Sequence, residues 1–118
     1  MLQESTLIDL SKKFAIKIVH VCNSIREKFG EKVLTNQLLR SGTSIGANIH
    51  EGNYASSKLD FINKFQVALK ECYETEYWID ILHETGYLSI DIFENLRNEN
   101  SKIRIKLTAS IKTAKQNL

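Results

Sequence analysis

Four runs of apolar residues at intervals of three and four organise this chain. The first is Leu7, Leu10, Phe14, Ile18, Val21, Ile25 and Phe29, which lie on one face of a helix turning 100° per residue. This spacing predicts a helix over about 7–29, with Ser5 or Thr6 at its amino end and Gly30 ending it in the left-handed conformation. Leu38, Ile45 and Ile49 form a shorter stripe on a second helix over about 34–52. Asn53, Tyr54 and Ala55 make a tight corner, and Ser57 with Asp60 can cap a third helix over about 57–85. Its inward face is Phe61, Ile62, Phe65, Ala68, Leu69, Cys72, Ile79 and Leu82, and Gly86 closes it. Ser89 caps a fourth helix over about 89–116, whose stripe is Phe93, Leu96, Ile103, Leu107, Ile111, Ala114 and Leu118, interrupted by Asn100. A single polar residue at such a position fixes register at some cost in stability.

Four amphipathic helices with short connections predict an all-α domain over 1–118, an antiparallel up-down-up-down four-helix bundle. Composition points the same way. The 118 residues include no proline and five glycines, too few for the turns of a sandwich or barrel. Ile16, Val67, Tyr73, Tyr77, Trp78, Ile81 and Tyr87 fall off the main stripes, so one bundle leaves apolar surface for self-association to cover.

The second helix carries an unusual polar stripe. Arg40, Ser44, Asn48 and Glu51 recur at four, four and three, roughly 125° from the apolar stripe. Gly42, Gly46 and Ala47 flank them and permit close approach of another backbone, which makes G-x-x-x-G here a packing feature rather than a phosphate loop. Counting equal distances from the Gly52 corner brings Arg40 within reach of Glu74 or Glu76 on the third helix. A guanidinium–carboxylate pair is the expected way to hold such charges inside a bundle or subunit contact. The set Arg40, Ser44, Asn48, Glu51, Glu74 and Glu76 therefore reads as a buried polar network that specifies packing, with a ligand or nucleic-acid contact as the alternative. On the first reading, Arg40→Ala costs a few kcal/mol by stranding a carboxylate.

The same residues carry a resemblance. The run R-x-x-x-S-I-x-x-N-I-x-E-G from Arg40 to Gly52, then Phe61 and an Ala-Leu helix with Glu74 and Glu76, resembles the bacterial 23S rRNA-intervening-sequence proteins over about residues 7–115. The resemblance implies a four-helix protomer assembled into a ring-like homopentamer. Relatives encoded beside diversity-generating reverse transcriptases are nucleic-acid-binding accessory proteins. This chain departs from the family at the corner, where Asn53, Tyr54 and Ala55 replace a basic Gly-Arg segment, and at Leu39, where Arg is frequent.

Charge supports a polyanion surface in one place. Residues 58–94 hold three Lys or Arg against eight Asp or Glu, whereas residues 95–118 hold six against one. Arg97, Arg104 and Lys115 lie along one edge of the fourth helix's apolar stripe, with Lys112 near the carboxyl end; Lys102 and Lys106 lie on the far side. These six can track the phosphates of structured RNA or DNA. Alternatively, they face Glu71, Asp80 and Glu84 on the third helix.

Enzymatic chemistry is not supported. Glu-x-x-His spacing is approached once, at Asp80–His83 and with Asp, where a dinuclear bundle site needs it twice. No G-x-S-x-G turn is present, and neither Cys22 nor Cys72 has a His partner on a shared face. No cofactor, metal or small-molecule substrate is expected. The two cysteines read as reduced, buried thiols, and the absence of a signal-like or membrane-spanning run places the protein in the cytosol.

Overall fold

The computed structural model describes the backbone of residues 2–118 and the side chains from Leu7 onward. It contains four helices: α1 Leu2–Phe29, α2 Val33–Asn53, α3 Lys58–Glu84 and α4 Ile90–Gln116. No strand occurs among the described residues. α1 continues five residues beyond the expected start at Leu7; the side chains of Ser5 and Thr6, expected to cap it, lie outside the described residues.

The helix ends follow local chemistry. Ser57 Oγ accepts from Asp60 N at 3.1 Å, and Ser89 Oγ accepts from Ile92 N at 3.3 Å, as their positions ahead of α3 and α4 require. Gly86, at φ 88°, closes α3 with two reversed bonds, Gly86 N to His83 O and Tyr87 N to Leu82 O. Gly30, at φ 70°, ends α1 in the same backbone region. α2 starts differently: Lys32 gives no side-chain cap, and the Glu31 carboxylate accepts from Leu34 N at 2.9 Å and Thr35 N at 3.0 Å. Burial disfavours the Glu31 anion, but these backbone donors outweigh it and hold the carboxyl below its ordinary value.

Each helix packs on its neighbours in the chain, and α1 also meets α4, along a thinner seam than the other three. The molecule measures 48 × 21 × 20 Å, matching helices of about 27 residues at 1.5 Å each. Phe14, Ile18, Leu38, Ile45, Ile49, Phe65, Ile79, Leu82, Leu96 and Leu107 are fully enclosed. Two expected stripe residues are exposed instead. Phe29 ends α1 and packs its ring edge-on against Tyr87 at 5.1 Å, remaining half exposed, and Leu118 lies beyond the end of α4.

The glycines of α2 are contact points. A Cβ on Gly42 would lie 3.0 Å from the Ile18 side chain, and one on Gly46 would lie 3.3 Å from the Ser11 carbonyl, so α1 sits close against this face. A Cβ on Gly52 would meet the Phe65 ring at 2.7 Å. A few polar groups occupy the middle of the core. Thr75 Oγ1 donates to Ser41 Oγ at 3.0 Å, and Asn100 Nδ2 donates to the Cys72 carbonyl at 2.9 Å, leaving Asn100 Oδ1 without a partner. Burial pushes the Cys22 thiol up to about 11 and that of Cys72 to about 12, so both are neutral at ordinary pH.

Candidate functional site

The polar stripe of α2 faces α3 only in part. Arg40 Nη1 lies 3.2 Å from Glu71 Oε2, and its Nη2 reaches Glu74. Glu74 Oε2 also accepts from Trp78 Nε1 at 3.1 Å, so a chain of contacts runs from Arg40 through Glu74 to Trp78. The arrangement is not a buried network, because half of the Arg40 side chain is exposed. Ser44 and Asn48 turn back on their own helix: Ser44 Oγ donates to the Arg40 carbonyl and Asn48 Nδ2 to the Ser44 carbonyl. Glu51 pairs with Lys64 across the corner at 3.1 Å.

Glu76 does not belong with Arg40. It pairs with Arg97 of α4 at 2.9 Å. Two residues of helix are a 200° rotation, so Glu74 and Glu76 project to opposite sides of α3, one toward α2 and the other toward α4. Glu71, one turn before Glu74, is the second carboxylate on the α2 side, and its i, i+3 spacing was the available signal.

On α4 the six expected cations divide. Arg97 is held by Glu76 and by Asp80 Oδ1, the latter at 2.6 Å, and its guanidinium also lies 5.6 Å from the Phe93 ring centre. Its charge is therefore neutralised within the chain. Arg104 lies 5.6 Å from the ring centre of Tyr73 on α3. Lys102, Lys106, Lys112 and Lys115 have no carboxylate partner among the described residues. On the side of α4 that faces α1, Lys17 of α1 donates to Asn95 Oδ1 at 2.8 Å and to Glu99. Glu99 thus spends the one acidic charge of residues 95–118 on α1.

Part of the remaining apolar surface is aromatic. Tyr73 and Tyr77 on α3 are 53% and 56% exposed, while Trp78 beside them is half-buried. No helix is long and apolar enough to cross a membrane, and no three His, Cys, Asp or Glu side chains gather as a metal set, among the described residues.

A small helical bundle whose distinguishing features are a cation-bearing outer helix and an uncovered aromatic face is the class these observations define. The chain belongs to the 23S rRNA-intervening sequence protein family, whose model matches residues 3–109. It is similar to a protein of unknown function from the S23 ribosomal protein family of Bacteroides thetaiotaomicron, known from a crystal structure. The two share 42% identity with a TM-score of 0.92, over 93% of this chain and 98% of that one. No curated protein matches the chain.

Proposed function

We propose that the protein is a non-enzymatic, self-associating cytosolic bundle that binds structured RNA or DNA weakly, through charge, using the outer face of α4. The observation that carries this reading is the division of α4 cations. Arg97 is neutralised by Glu76 and Asp80, while Lys102, Lys106, Lys112 and Lys115 keep their charge available to phosphates, with Arg104 beside them. The family's description, which names an intervening sequence of 23S rRNA, agrees with a polyanionic partner.

The helices are taken to run up-down-up-down. Contacts that move away from the α2–α3 corner support this, from Glu51–Lys64 to Arg40–Glu71, as does Lys58 Nζ at the start of α3 donating to Asn117 O past the end of α4. A ring-like homo-oligomer, a pentamer by family resemblance, would repeat the lysine set around one assembly. Repetition raises avidity without any new contact in a single protomer. Tyr73 and Tyr77 supply apolar surface for such association.

The test is fluorescence anisotropy with a structured RNA and with a DNA duplex over a salt series. Affinity should fall as salt rises, with a slope of about 0.9 per phosphate neutralised on duplex DNA. Changing Lys102, Lys106, Lys112 and Lys115 to Glu should abolish binding and leave the urea midpoint within experimental spread. Unchanged affinity in that variant would overturn the reading.

A second reading is a protein-binding adaptor, favoured by the exposed Tyr73 and Tyr77 beside Trp78. In that case Tyr77→Asp breaks partner capture while the lysine variant does not.

A further inference from the structure

We propose that the groove between α1 and the amino-terminal part of α4 is a docking site for an acidic amphipathic helix of a partner protein. This site is separate from the α4 lysines and stands or falls without them.

The groove has a volume of about 630 Å³ and lies between α1 and the α3–α4 connection with Ile92, on the thinnest of the helix seams. Along α1 it runs from Lys13 to Phe29, and on the other side it is bounded by Gly86–Ile92. Sixteen residue steps at 1.5 Å make it about 24 Å long, the length of a helix of some 16 residues. A compact small molecule would leave most of it empty.

Its surfaces differ from floor to rim. Ile25 and Leu88 are buried at the bottom, whereas Ile16, Phe29 and Ile92 stand 43–49% exposed in the walls. Apolar side chains lining one continuous concave surface mark a contact site better than scattered ones do. The rim carries Lys13, Lys17, His20 and Lys28, and no carboxylate among the described residues lines the groove. Lys17 is engaged by Asn95 and Glu99, which leaves Lys13 and Lys28 as exposed cations near the two ends.

An apolar floor between two cationic ends fits a helix with apolar residues at i, i+3 or i+4 and i+7, and with Asp or Glu along its flanks. Nucleic acid fits less well, because its phosphates would lie over Ile16 and Ile92. A second copy of this chain also fits less well. Its own exposed apolar stripe on α3, Val67, Tyr73 and Tyr77, carries exposed Lys70 in its midst, and Glu71, Glu74, Glu76 and Asp80 beside it are already held by Arg40 and Arg97.

The experiment uses the full chain and two fluorescent amphipathic peptides with the same leucine spacing, one flanked by Glu and the other by Lys. The Glu peptide should bind at least tenfold tighter than the Lys peptide. The double variant Lys13→Glu, Lys28→Glu should invert that preference, and Ile16→Asp with Ile92→Asp should weaken the Glu peptide at least tenfold, each with an unchanged urea midpoint. Failure of the Glu peptide to bind, equal binding of both peptides, or indifference to all four substitutions would overturn the proposal. It would also be overturned if these substitutions dissociated a self-assembly that excluded both peptides, since the occupant would then be a second copy. Competition by structured RNA that is lost in the Ile16→Asp, Ile92→Asp variant would assign the groove to nucleic acid instead.

Discussion

Arg97 and Asp80 meet across the α3–α4 seam, Nη1 to Oδ1 at 2.6 Å, and this contact takes one cation of α4 out of solution chemistry. Arg97→Ala should therefore change nucleic-acid affinity by no more than about twofold, against a much larger loss for Lys112→Ala with Lys115→Ala. Its effect belongs to stability. The side chains in the pair are more than a third exposed, so solvent screens them and the cost should be about 1 kcal/mol or less by urea denaturation. Arg97→Ala weakening nucleic acid as much as the lysine pair would show that its carboxylate partners release it.

Arg40 leads to a smaller number than the sequence suggested. A carboxylate buried without its partner costs several kcal/mol; here Glu74 keeps its bond from Trp78 and half of the Arg40 side chain is open to solvent, so only Glu71, 15% exposed, loses its cation. Arg40→Ala should destabilise the isolated protomer by about 1–2 kcal/mol, most of it from Glu71. A loss of 3 kcal/mol or more, growing with protein concentration, would place Arg40 in a subunit contact.

Gly52 is held by shape. The Cβ of Gly52→Ala would enter the Phe65 ring, an overpacking of the kind that costs about 1–3 kcal/mol, against less than about 1 kcal/mol regained from helix propensity near the end of α2. The net should be destabilising, and Phe65→Leu in the same chain should return part of it. If both single variants and the double simply add, the two positions do not touch.

Glu31 gives a pH signature. Its carboxyl is lowered in the folded chain, so the stabilisation is complete above the ordinary value of 4.5 and is lost as pH falls through the lower folded value. Glu31→Ala should cost about 0.5–1 kcal/mol at pH 7, and the gap from the native chain should close below pH 4.5. A gap that persists at pH 3 would assign the effect to something other than the charged cap.

The helices were legible because long periodic runs such as Leu7–Ile25 leave little choice of face, and Ser57, Ser89 and Gly86 mark ends by their own chemistry. The cap of α2 was not legible: Glu31 precedes the helix and reaches forward over Lys32, a position where Ser, Thr, Asn or Asp is the usual signal. The polar stripe misled for a related reason. Spacing places Arg40, Ser44 and Asn48 on one face, but it does not show that Ser44 and Asn48 spend their donors on their own backbone. Counting from the corner found Glu74, and only the rotation between positions 74 and 76 separates it from Glu76. Likewise the basic tail was visible as composition, whereas its partition into a paired Arg97 and lysines with no carboxylate partner among the described residues depends on Glu76 and Asp80 facing it across a helix seam.

Gly42 and Gly46 draw α1 against α2, while α4 is secured chiefly by α3 and meets α1 along the thinnest seam. The bundle therefore has a hinge and a free edge. Thermal openings should swing α4 away from α1 before α1 and α2 part, so backbone amides in α4 should exchange with deuterium sooner than those around Ile45. Uniform exchange across all four helices would mean that the molecule opens only as a whole.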